Sequence, residues 1–261
     1  MPAGEPTLVI VRLAAGWDSS AARTFCAGLE AAARHAADDA VVHRGRNLIF
    51  RAALGEEDVA VKRFPVSGAR RFVYRWRTSK AVRAFDHAAR LLELGIGTPR
   101  PLAAVELRRG GALLASFYCC ALVRTFREAR ELKRADAADR TPLLQRLGAF
   151  VATAHERGVL HRDLTSGNVL MVPAAARDGG VGFALVDVNR MRFGRVGVRR
   201  GIANLAMLRL ADEGALLAGY CRARGLAVEE VAAWYRVCLA VRSARQRLLQ
   251  STRPLRRRLG L

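Results

Sequence analysis

Asp163, Asn168, Asp187 and Lys62 are the residues through which chemistry enters this sequence. Asp163 and Asn168 stand in His161-Arg162-Asp163-Leu164-Thr165-Ser166-Gly167-Asn168, which runs into the apolar stretch Val169 to Val172. A carboxylate in such a loop can accept or orient a hydroxyl proton, and an amide oxygen five residues later can ligate a hard cation such as magnesium. Such a cation takes oxygen ligands and completes its shell with phosphates and water. Phe183-Ala184-Leu185-Val186-Asp187 reads as a short apolar strand ending in a second carboxylate, suited to the same metal. Val59-Ala60-Val61-Lys62 puts an ammonium on a strand, where it can face phosphate oxygens. Each piece alone also reads as an ordinary polar loop, a turn aspartate or a solvated lysine. Three of them, in this order and at these separations, do not recur by chance.

Together they match H-R-D-L-x-x-x-N, the strand V-A-I-K with one conservative change, and the metal-binding Asp of D-F-G, with Val188 and Asn189 replacing Phe and Gly. The sequence resembles the protein kinase fold. That implies an α+β, two-lobed architecture: residues 1–123 as a small antiparallel-sheet N-lobe with an N-terminal extension, and residues 124–261 as a mostly helical C-lobe. It implies ATP and Mg2+, with Asp163 and Lys62 catalytic and Asn168 and Asp187 as metal ligands.

The elements that must position these residues follow from pattern. Thr7 to Leu13 and Ala40 to His43 read as strands, with one Ala-rich helix between them over Ser19 to Ala37, capped by Ser19 or Ser20. Val41 to Lys62 reads as strand, turn and two strands, with Gly45-Arg46-Asn47 at the turn where a glycine-rich loop would cover phosphates. Only Gly45 remains of that loop, and Arg46 can supply charge in place of backbone amides. Ala81, Phe85, Ala88 and Leu92 space a helix from Ser79 to Leu94, ended by Gly95. Its acids are Asp86 and Glu93; Asp86, mid-helix, is the expected partner of Lys62, since a carboxylate near a helix C-terminus opposes the dipole. Leu102 to Leu107 and Ala112 to Val123 form a hairpin around Gly110-Gly111, and its second strand leads to a hinge suited to adenine. Arg124 to Arg140 reads as a charged surface linker, and Thr141-Pro142 as the start of a helix to about Arg157. Helices over Ile202 to Ala211, Glu213 to Arg224 and Val228 to Leu249 close the chain, with Trp234 and Leu239 as core anchors.

Composition narrows the partners. Lys plus Arg is 44 against 23 Asp plus Glu, a net charge of +21, which favours anionic partners even where Arg and Ala rise together through coding bias. Nucleic acid gets no support beyond charge, because no basic stretch is read as interleaving aromatics. The five cysteines show no ligand spacing, which with the absence of an export signal fits reduced thiols in the cytoplasm.

No A-P-E element follows Asp187, and the segment after it is short and rich in arginine: Arg190, Arg192, Arg195, Arg199 and Arg200. A kinase without a peptide-docking segment takes a small-molecule or glycan acceptor. The catalytic loop, Leu185-Val186-Asp187-Val188-Asn189-Arg190-Met191-Arg192-Phe193, and Ser79-Lys80-Ala81 through Gly95-Ile96-Gly97-Thr98-Pro99-Arg100-Pro101 resemble the bacterial lipopolysaccharide kinases, the Kdo and heptose kinases. The resemblance covers about residues 41 to 205. It implies ATP-dependent phosphorylation of a sugar hydroxyl on lipid A–core oligosaccharide, at the cytoplasmic face of the inner membrane. The arginine cluster, helped by Arg256 to Arg258, is itself suited to hold an anionic glycolipid acceptor. Two alternatives share the fold: an aminoglycoside-, choline- or RIO-like kinase, and a pseudokinase-like binding module.

Overall fold

The computed structural model describes residues 5–134, 137–173, 181–210 and 213–251, and it forms two compact units. The first comprises Met1–Thr125 with Ala184–Arg190, the second Phe126–Phe183 with Met191–Leu261. The break after Thr125 differs from the one expected after Val123. The larger difference is that Ala184–Arg190, expected in the second lobe, packs with the first unit. Two hydrogen bonds tie it there: the Leu185 N–H donates to the Gly97 carbonyl (2.7 Å) and the Leu185 carbonyl accepts from the Thr98 hydroxyl (2.8 Å).

In the first unit, β1 (Thr7–Leu13) leads to α1 (Ser20–Ala27) and α2 (Leu29–Arg34). Ser19 caps α1 by accepting from the Ala22 amide, but the single helix expected here breaks at Gly28. There follow β2 (Val41–Arg44), β3 (Leu48–Leu54), β4 (Glu57–Pro65), the short α3 (Arg70–Val73), α4 (Lys80–Glu93), β5 (Pro101–Arg109) and β6 (Ala112–Ala121). The strands form one sheet in the order β1-β5-β6-β4-β3-β2, antiparallel throughout. The N-terminal extension therefore has a role that pattern alone did not assign. It adds an edge strand, and Ala22, Cys26, Leu29 and Ala33 pack into a core with Phe50, Val59, Val61, Val105 and Phe117. Because side chains alternate along a strand, Val59 and Val61 in that core turn Lys62 to the opposite face. On α4 the buried residues are Ala81, Val82, Ala84, Phe85, Ala88 and Leu91, with Ser79 capping its start and Gly95 (φ 64°) ending it.

In the second unit, β7 (Arg127–Glu128) and a 3-10 turn (Ala129–Lys133) occupy the expected linker. Arg127 and Glu128 pair with Met171 and Leu170, and Ala129 and Leu132 are buried, so this stretch is structure and not a solvated connection. Two buried residues among many charges were too weak a pattern to reveal it. Next come α5 (Ala137–Glu156), β8 (Val159–His161), β9 (Val169–Pro173), β10 (Val181–Leu185), β11 (Met191–Phe193), α6 (Val198–Leu205), α7 (Glu213–Arg224) and α8 (Val228–Ser251). α5 begins before Thr141-Pro142 and takes Pro142 inside it. α5 and α7 touch through their backbones. A Cβ on Gly148 would lie 2.2 Å from the Leu216 carbonyl oxygen, and one on Gly219 would lie 2.0 Å from that of Gln145. Leu239 is buried as expected, but Trp234 is 39% exposed and donates its indole N–H to the Arg199 carbonyl (2.9 Å). All five cysteines are free thiols. Among the described residues no helix is long and apolar enough to cross a membrane. Ala211 and Arg256 to Arg258 lie outside the described residues.

Candidate active site

In the first unit, the Lys62 ammonium lies 2.8 Å from the Asp187 carboxylate, both only partly exposed. Asp187 sits in the left-handed region (φ 56°), a conformation Asp tolerates better than most residues and one that clusters at functional sites. The turn is held from three directions. Asn189, itself buried, donates its amide to Asp187 Oδ1 (2.5 Å), the His87 ring of α4 donates to the Val188 carbonyl (2.7 Å), and Thr98 secures the strand before it. Burial of His87 lowers its pKa, the bond to Val188 opposing the shift.

Lys62 does not pair with Asp86. Asp86 bonds Arg12 of β1 at 2.8 Å, and Glu93, the other acid of α4, bonds Arg90 at 2.8 Å. The reason lies in helix phase: Asp86 follows Phe85 and Ala84, which face the core, and so turns to the β1 edge, where an arginine waits. What α4 does bring to Lys62 is a second lysine. Lys62 and Lys80 both lie against the Phe64 ring, at 5.3 and 5.8 Å from its centroid. Desolvation first, then the charges of Arg46 and Arg83, push the Lys80 pKa down, and Asp187 pulls the other way. Arg46 thus acts at the turn where the glycine-rich loop is missing. Gly45, beside it, lies close to the exposed His43 ring: a Cβ there would come within 2.8 Å of that ring, which would have to turn aside.

In the second unit, the loop from His161 to Asn168 folds on itself. Asn168 donates its side-chain amide to the Asp163 carbonyl (2.8 Å), Thr165 donates its backbone N–H to the same oxygen (2.8 Å), and the Asp163 N–H reaches the His161 ring (3.1 Å). With its NH2 committed to that carbonyl, Asn168 has its amide oxygen to offer a metal. Beneath the loop is a buried polar chain. Asn204 donates to the His161 carbonyl (2.9 Å) and accepts from His155 Nε2 (3.0 Å). The other His155 nitrogen accepts from the Tyr220 hydroxyl (2.9 Å), which in turn accepts from Arg224 (2.9 Å). Burial pushes His155 down to about 4, so the ring is neutral and this donor order holds. Above the loop, the Arg130 guanidinium lies against Gly167, where any Cβ would sit 2.8 Å from it.

Of the residues expected from sequence, then, Lys62 meets Asp187 and Asp163 meets Asn168, while Asp86 joins neither. Among the described residues no three His, Cys, Asp or Glu side chains gather to hold a metal. Each unit carries one oxygen donor of the kind magnesium takes, the Asp187 carboxylate in the first and the Asn168 amide oxygen in the second, and such an ion relies on phosphates and water for much of its shell. Lys80, Asn189, Asn204, His155 and Arg130 were missed. A compositional signal existed for Lys80: of the 44 basic residues only Lys62, Lys80 and Lys133 are lysines. In an arginine-biased chain, two of the three lysines share one ring. A second reading is also corrected. Arg70 to Arg77 does interleave aromatics, with Phe72, Tyr74 and Trp76 between arginines.

A sheet carrying a lysine that meets a strand-end carboxylate, with a helical unit carrying an Asp–Asn loop, defines a kinase-class phosphotransferase of protein-kinase-like fold. The lipopolysaccharide kinase (Kdo/WaaP) family model matches residues 69–216, more than half of the chain, and the chain belongs to that family. The match takes in Asp163, Asn168 and Asp187 and leaves out Lys62. A solved structure of WaaP in complex with acyl carrier protein is similar in fold, with 17% sequence identity and a TM-score of 0.53, over 80% of this chain and 88% of that one. Among curated protein sequences nothing matches the chain.

Proposed function

We propose that this protein transfers the γ-phosphate of ATP to a sugar hydroxyl of the lipid A–core region of lipopolysaccharide. The observation that carries the reading is the Lys62–Asp187 pair at 2.8 Å with Lys80 on the same aromatic ring. Two ammonium groups around one carboxylate suit a polyphosphate that arrives with its own cation. Lys62 and Lys80 bind phosphate oxygens, and Arg46 adds charge at a turn too short to wrap them with amides. Asp187 and the Asn168 oxygen would hold magnesium, which when bound neutralises charge on the phosphoryl group. Asp163 orients the acceptor hydroxyl and takes its proton. The phosphorus–oxygen bond to ADP breaks as the bond to the acceptor oxygen forms.

An anionic acceptor is supported by the exposed Arg192, Arg195, Arg199 and Arg200, since guanidinium forks bind phosphate and carboxylate through paired bonds. A cationic aminoglycoside would be repelled there. The test is transfer from labelled ATP to a panel of lipid A–core acceptors, peptides and amino-sugars. Labelling of a core sugar is expected. Labelling confined to peptides or amino-sugars would overturn the acceptor assignment, and no labelling of any acceptor would overturn the catalytic one.

A further inference from the structure

Between β4 and α4 the chain makes a feature that phosphoryl transfer does not use. From Val66 to Ser79 there are four basic residues, Arg70, Arg71, Arg75 and Arg77, and no acidic one. Within that span α3 and the turn after it place Phe72, Val73 and Trp76 on one side, at helical spacing, and all three are exposed, Trp76 by 81%. Arg75 lies over the Trp76 ring at 5.9 Å. Beside this ridge Arg70, Val73, Tyr74, Arg77, Thr78 and Arg83 line a cavity of about 440 Å³. Arg83 has its Nε buried with no hydrogen-bond partner among the described residues. A buried, unpaired guanidinium N–H is costly, and an anion would satisfy it. The segment is anchored rather than loose: Arg71 donates to the Val66 carbonyl (3.1 Å), and Arg108 of β5 donates to that of Tyr74 (3.4 Å).

We propose that this ridge and cavity form a docking surface for an anionic phospholipid bilayer, with Phe72 and Trp76 entering the interface and Arg70, Arg77 and Arg83 taking a headgroup phosphate. Three features favour lipid over other anions. Exposed Trp and Phe flanked by arginine are the composition of an interfacial segment, whose rings sit at headgroup level while the charges meet lipid phosphates. The aromatic groups form one ridge, not a groove along which bases would stack in succession. The arginines are clustered tightly enough to act on one surface, and each contributes on the order of 1 kcal/mol near an anionic leaflet.

The experiment uses the full chain and flotation with two vesicle types: phosphatidylcholine alone, and phosphatidylcholine mixed with phosphatidylglycerol. Binding to the mixed vesicles only is expected. Trp76 fluorescence should be quenched by brominated acyl chains, and that quenching should be lost in Trp76→Ser. Arg70→Gln with Arg77→Gln should weaken binding by on the order of 30-fold, two surface charges' worth. Both variants alter exposed side chains, and both should transfer phosphate to a detergent-dispersed acceptor at the parent rate. This keeps the docking surface separate from the reaction: loss of transfer in every form would refute the enzyme reading and leave vesicle binding to be judged alone. Mixed-vesicle binding unchanged in both variants would overturn the proposal. So would loss in these variants of binding to purified acyl carrier protein or to a single-stranded oligonucleotide, with vesicle binding intact.

Discussion

The two units hold their reactive groups by opposite means. In the first, Lys62 and Asp187 are partly exposed charges that hold each other, with Lys80 and Arg46 crowding in. In the second, Asp163 and Asn168 ride on a loop tied down by hydrogen bonds running from the Arg224 guanidinium through the buried, uncharged Tyr220, His155 and Asn204 to the His161 carbonyl. The contrast suits the roles proposed for these groups. Groups that meet a polyanion must be free to exchange partners, and an ion pair near solvent does so at little cost. A group that aligns a hydroxyl must stay still, and satisfied buried bonds are the way to fix a loop.

That comparison can be broken at four points. The largest effect is expected at Asp163. Asp163→Asn should leave ATP affinity near the parent value and lower turnover by about 10²–10⁴-fold, the usual share of a positioned base. Undiminished turnover in the purified variant would remove Asp163 from the mechanism.

Asp187→Ala should follow. Losing the charged ligand should lower turnover by on the order of 10²-fold and blunt the magnesium dependence of nucleotide binding, within the several kcal/mol a catalytic metal supplies. Asn168→Ala, losing a neutral ligand, should do less. Titrating ATP at several magnesium concentrations separates them. If both variants respond to magnesium as the parent does, the metal is held elsewhere.

The third point is the buried chain. His155 is pushed from 6.5 down to about 4, so the folded state binds this proton less readily than the unfolded chain. Its contribution to stability is complete above about pH 6.5 and is lost as pH falls toward about 4. At most about 3.5 kcal/mol is at stake, one pKa unit being worth about 1.4 kcal/mol. Denaturant unfolding across that window should therefore show a steeper loss in the parent than in His155→Gln; parallel curves would show that the ring is not the group responsible. Asn204→Ala, which strands the His161 carbonyl, should lower kcat while sparing the KM for ATP, as a positioning residue would.

The smallest effect is expected at Asp86. Its pair with Arg12 is nearly half exposed on both sides, so Asp86→Ala should cost under about 1 kcal/mol and leave ATP affinity unchanged. A large loss of ATP affinity would restore Asp86 as the partner of Lys62 and undo the contrast between the units.

Much was legible in the sequence because it is local. The Asp163-to-Asn168 loop, the strand ending at Asp187, the strand carrying Lys62 and the Ser79 and Gly95 limits of α4 each follow from residues within one turn or one strand of each other. Caps, alternation and motif spacing act over that range, and the structure forms these elements, except that the strand before Asp187 stops at Leu185 and leaves Asp187 in the turn beyond it. What the sequence could not decide were pairings set by distant chain. Whether Asp86 meets Lys62 or Arg12 depends on the rotation of α4 against a sheet whose edge strand lies 74 residues earlier. That Ala184–Arg190 packs with the first unit depends on two bonds to Gly97 and Thr98. The helical extension gained its purpose only when the sheet presented Val59, Val61 and Phe117 for it to cover. His155, Asn204 and Tyr220 look like unremarkable helix residues until α5, α6 and α7 bring Asn204 and Tyr220 to within 3.0 Å of the two nitrogens of the buried His155 ring. Local chemistry is written in neighbours along the chain, whereas ion-pair choice and buried networks are settled by which surfaces the fold removes from water.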